Sequence, residues 1–220
     1  DAAAGEGPAM RKTHRKKLPA PKLSAMIPFA LGCAAPIPIL MAAMDKVPGE
    51  GRPPKTPVLY EFNVLFKLCG ALFPVILLVL RMLIKKVFGA TSPRAASDLF
   101  SLSTCVVVSV MRVVMYHITL LLKDADEEKR DVMSDHVFLA MSIVCLARFE
   151  LYCCLETLES NKLLALPALL ALVLIVLMHC NNYITTRYFH TSEESVMSLV
   201  CGGLLFEIPG SIFFYLTRRR

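Results

Sequence analysis

Most of the side chains able to do chemistry in this chain lie in two short polar segments. The first reads Lys123-Asp-Ala-Asp-Glu-Glu-Lys-Arg130-Asp131 and continues to Ser134-Asp135-His136; the second reads Thr186-Arg187-Tyr-Phe-His190-Thr-Ser-Glu-Glu194. Histidines change charge near neutral pH and Lys and Arg hold anions, so these are residue types for proton transfer and anion binding. Both segments also have a plain structural reading. Ser134-Asp135 has the form of an N-cap with an acidic first turn, and Thr191-Ser-Glu-Glu194 that of a capping box. There is no C-x-x-C pair and no Cys/His cluster at zinc-ligand spacing, so neither a metal nor a cofactor is expected.

The elements that must position these residues follow from the hydropathy. Of the 220 residues, 55% are hydrophobic, and the mean hydropathy is +0.57, more apolar than an ordinary soluble domain. The apolar residues come in blocks of about 20, the length that crosses a hydrocarbon core as a helix. An all-α polytopic membrane bundle of about six helices is predicted, with spans near 23–44, 59–84, 96–122, 136–155, 163–180 and 196–216. Residues 1–22 are read as a flexible basic tail, 23–216 as one transmembrane domain and 217–220 as a basic C-terminal tail. Pro28, Pro36 and Pro38 interrupt the first span, and 45–57 is a Pro/Gly-rich connection. The eight cysteines fall in or beside apolar blocks and read as small packing residues.

With the N-terminus in the cytosol, thirteen Lys and Arg lie on the cytosolic side and seven opposite. That asymmetry predicts cytoplasmic termini and puts 123–135 and 181–195 together on the other face. Lys67, Arg81, Arg112 and Arg148 remain inside the spans and need partners or an aqueous cavity. Arg148 and Glu150, two apart on one helix, cannot pair well with each other, so interhelical partners are expected. Gly202-Gly203 is read as a site of close helix contact. The net charge of +6 gathers at the two ends, where it sets topology; no nucleic-acid partner is expected.

The last half of the chain resembles the phosphatidic acid phosphatase type 2 superfamily, whose motifs are Lys-x6-Arg-Pro, Pro-Ser-Gly-His and Ser-Arg-x5-His-x3-Asp. Lys123 and Arg130 have the spacing of the first motif, Ser134 and His136 that of the second, and Arg187, His190 and Glu194 approximate the third. The resemblance implies that His190 is a nucleophile carrying a transient phosphate, that Glu194 orients its ring, and that His136 protonates the leaving oxygen. Lys123, Arg130, Ser134 and Arg187 would hold the phosphoryl oxygens. It implies a phosphorylated lipid substrate, no metal, and a multi-pass protein, with an endomembrane of the endoplasmic-reticulum kind as the working location.

Three departures stand against activity. Asp131 replaces Pro, Asp135 occupies the slot where Gly lets backbone approach phosphate, and two residues rather than five separate Arg187 from His190. A variant or catalytically decayed site fits this pattern. The alternative function is a non-catalytic membrane subunit or scaffold with membrane-protein partners; a small-solute transporter, using Arg112, His117, Arg148, Glu150 and Glu207 as a polar path, comes third.

Overall fold

The computed structural model describes residues 23–45, 64–66, 69–88, 96–125 and 133–212. Among them the regular structure is entirely helical: α1 Leu23–Ala34, α2 Pro36–Met44, α3 Phe73–Val87, α4 Ala96–Ala125, α5 Asp135–Thr157, α6 Ala165–Tyr188 and α7 Ser192–Gly202. A 3-10 turn, Lys162–Leu164, precedes α6, and a π-turn, Gly203–Glu207, extends α7. The two terminal tails fall outside the described residues.

Five helical stretches among the described residues are long and apolar enough to cross a membrane: Ser24–Met44, Ser101–Ile118, Asp135–Thr157, Lys162–Tyr188 and Ser192–Ile212. The chain is therefore an all-α, multi-pass membrane bundle. The second expected span, 59–84, lies partly outside the described residues, and its described helix, α3, has 15 residues. The break expected in the first span falls at Ala35. Pro36 has no N–H to give to the carbonyl of Gly32, which accepts the Ala35 amide at 3.1 Å instead, and the helix restarts as α2.

The centre of the bundle is α5. Its apolar window is 89% buried against 17% for Ser101–Ile118, and from Ala140 to Leu151 every residue is buried. A helix that is apolar all round has this place because each of its faces needs cover. The helices α1, α3, α4, α6 and α7 all pack on it. On α6 one stripe faces inward, Ala168, Ala171, Leu174, Ile175 and Met178, while Leu166, Leu169, Leu170, Val173 and Val176 are exposed and suited to lipid. A Cβ on Gly202 would lie 2.8 Å from Cβ of Met141, so this glycine lets α7 approach α5; nothing lies near the corresponding position of Gly203.

Arg81, Lys85 and Arg148 find partners on other helices. Arg81 of α3 is 1% exposed and donates from Nε to Glu150 of α5 at 2.6 Å; it also pairs with Asp98 of α4, which Lys85 meets at 2.5 Å. Ser101 donates to the same Glu150. Arg148 pairs with Glu207 at the end of the π-turn and donates to the Pro28 carbonyl of α1 at 2.6 Å. The path to that carbonyl is open because Gly32 carries no side chain: a Cβ there would overlap the guanidinium.

Candidate functional site

The start of α5 and the junction of α6 with α7 meet at one end of the bundle. Ser134 is the N-cap of α5: its backbone is extended and its hydroxyl accepts from the Val137 amide at 3.3 Å. Its own amide donates to the hydroxyl of Ser198 at 2.6 Å, and Ser198 donates onward to the Glu194 carbonyl at 2.8 Å. One serine on α7 thus ties the first turn of α5 to the first turn of α7. His136 is carried in on α5 by this link.

The other imidazole is set by a helix cap. Thr191 caps α7, its hydroxyl accepting from the Glu194 amide at 3.2 Å, while Glu194 Oε2 accepts from the Thr191 amide at 3.4 Å. The same Oε2 lies 2.9 Å from Nδ1 of His190. The capping box therefore does two jobs: it starts α7, and it holds the carboxylate that fixes the His190 ring. With Nδ1 donating to Glu194, Nε2 is the ring nitrogen turned away from that carboxylate. The His136 and His190 ring centres are 5.6 Å apart, tilted by 49°.

Arg187 sits on the last turn of α6. Its guanidinium donates to the Tyr183 hydroxyl at 3.1 Å and lies 3.7 Å from the Asp45 carboxylate, which Tyr183 also reaches at 3.2 Å. Asp135 is exposed on the first turn of α5 and lines a cavity facing α4, whereas His136 lines a small pocket facing Met178 and Asn181 of α6. The acidic side chain and the imidazole, though adjacent, thus point to different neighbours. Lys123 is on the last turns of α4 with its side chain outside the described set, and Arg130 lies outside the described residues altogether.

The expected loop 181–195 is corrected by the structure. Helix α6 continues through Asn181 to Tyr188, because Asn181, Asn182, Thr185 and Thr186 extend its inward stripe at helical spacing and are all buried. Side-chain polar atoms of Asn182, Thr185, Thr186 and, on α7, Ser195 have no hydrogen-bond partner among the described residues. The sequence reading passed over these residues. Their spacing of three and four after Met178 was the signal that could have revealed them.

Among the described residues, no group of three His, Cys, Asp or Glu side chains is arranged to hold a metal ion. Compared with known proteins, the chain matches no family model, no curated protein and no solved structure.

Proposed function

We propose that the histidine end of the bundle carries out phosphoryl transfer from a lipid phosphate monoester through a phosphohistidine, as the likeness to the phosphatidic acid phosphatase type 2 superfamily implies. What supports the reading is one constellation: a carboxylate 2.9 Å from Nδ1 of His190, with the His136 ring centre 5.6 Å from that of His190. Near-attack geometry needs reacting atoms about 3–3.5 Å apart, and a general acid within about 3 Å of the leaving oxygen.

In the first step His190 Nε2 attacks phosphorus. The P–N bond forms, the P–O bond to the lipid breaks, and the leaving oxygen takes the proton of protonated His136. In the second, neutral His136 removes a proton from water, water oxygen attacks phosphorus, and the P–N bond breaks to release inorganic phosphate. Glu194 stabilises the cationic ring that attack creates. Arg187, Lys123 and Arg130 are the cations of the reading, and backbone amides at the start of α5 add donors for the phosphoryl oxygens. The partition of thirteen basic residues against seven favours cytoplasmic termini and a site on the opposite face, where the substrate keeps its tails in the bilayer; an endomembrane is the proposed location.

A second reading, a non-catalytic membrane subunit, is favoured by the use of Ser134, Glu194 and Arg187 in caps and in the Tyr183–Asp45 contact. Purified protein given phosphatidate separates the two. Phosphate release that disappears in His190→Ala, with a labelled phosphoenzyme that is acid-labile and base-stable, is expected; equal release by wild type and His190→Ala would exclude the phosphohistidine.

A further inference from the structure

The cavity beside Asp135 has features of its own. It lies between α4 and α5 beside the turn that precedes α3, has a volume of about 400 Å³, and its wall is formed largely by Ala71, Val113, Met115, Met133, Phe138 and Leu139. That volume falls in the range of small-ligand pockets, about 300–1,000 Å³. One cation lines it, Arg112 of α4, within the apolar stretch Ser101–Ile118. Tyr116, His117 and Asp135 complete the lining.

Arg112 differs from the other intramembrane cations. Arg81, Lys85 and Arg148 each reach a carboxylate on another helix. Arg112 has no carboxylate and no hydrogen-bond acceptor among the described residues, and Asp135, which shares the cavity, is engaged in an interaction of its own. A guanidinium kept at membrane depth without a counter-charge is costly, and such residues are retained where they meet a partner or a cavity. Here both conditions point the same way: the charge is half-buried against the cavity, while α4 offers lipid its exposed valines, Val106, Val107, Val110 and Val114.

We infer that this cavity is a binding site for a single-chain anionic amphiphile, its chain against the apolar wall and its carboxylate or phosphate head on Arg112. A volume of 400 Å³ takes one chain rather than two. A neutral lipid would offer the guanidinium no counter-charge, whereas an anionic head supplies one. The site is separate from the phosphoryl-transfer reading: Arg112 has no part in the reaction, and binding is read in an inactive protein.

The test uses the full chain carrying His190→Gln in phosphatidylcholine nanodiscs, with equilibrium binding of radiolabelled oleate, lysophosphatidylglycerol and monoolein. Saturable binding of one or both anionic probes in preference to monoolein is expected; which one binds distinguishes a carboxylate from a phosphate head. Arg112→Gln should weaken anionic binding about tenfold or more, the scale of one charge-assisted hydrogen bond, and Arg112→Lys should restore most of it. Without ligand, Arg112→Gln should not lower the unfolding midpoint, since Arg112 has no carboxylate partner among the described residues. Equal anionic binding by wild type and Arg112→Gln, no preference over monoolein, or a midpoint lowered by Arg112→Gln without ligand would overturn the site.

Discussion

The two ends of the bundle differ in how their intramembrane cations are matched. Around Glu150, which is 14 residues and so about 21 Å along α5 from His136, the cations turned into the bundle have their carboxylates: Arg81 reaches Glu150 and Asp98, and Lys85 reaches Asp98. Arg148 and Glu207 close a second pair. Toward the histidine end, Arg112 faces a cavity, and Asn182, Thr185, Thr186 and Ser195 are buried without hydrogen-bond partners among the described residues. Charges matched within the protein lock helices together and leave nothing for a ligand. Polar groups kept unmatched cost stability.

The comparison is broken most forcefully at the matched end. Arg148→Met leaves Glu207 without its cation, and Glu150→Leu strips Arg81 of its main partner; either change should cost about 3–5 kcal/mol, read as a lowered unfolding midpoint in detergent. Replacing Arg148 and Glu207 together by Met and Leu should recover most of the loss, since a well-packed apolar pair is about as stable as a buried ion pair. A double variant no more stable than the single one would mean that the bond from Arg148 to the Pro28 carbonyl carries the effect.

Much of the fold could be read before any coordinates. The cap at Ser134 and the capping box at Thr191–Glu194 mark where α5 and α7 begin, because caps are local and leave their signature within four residues. Pro36 likewise marks the break between α1 and α2. The end of α6 was hidden, since Asn181, Asn182, Thr185 and Thr186 look like loop residues until their helical spacing is counted against the stripe before them. Partners were hidden for a different reason: Arg81 and Glu150 stand 69 positions apart, and no local pattern links them. The need of Arg112 for a partner or cavity was legible, but the cavity itself draws its walls from α4, from α5 and from the turn before α3.

Packing supplies a smaller effect. Gly202→Ala pushes a Cβ onto Met141 and should cost about 1–3 kcal/mol, whereas Gly203→Ala, with open space at its Cβ, should be neutral or slightly favourable in helix. The two unfolding midpoints, compared side by side, check this. Equal losses would place the close approach of α7 to α5 elsewhere.

The central claim is that the histidine end is built for an anion and the opposite end for stability. It is tested most directly by thermal unfolding of wild type, His190→Gln and Arg148→Met with and without orthovanadate, an anion that can adopt the five-coordinate geometry of phosphoryl transfer. Wild type should be stabilised by vanadate. His190→Gln should unfold within about 1 kcal/mol of wild type, as expected for altering a single hydrogen bond, and should lose the vanadate shift. Arg148→Met should unfold earlier and keep the shift. A vanadate shift that survives in His190→Gln, or a loss of stability there as large as in Arg148→Met, would contradict the account.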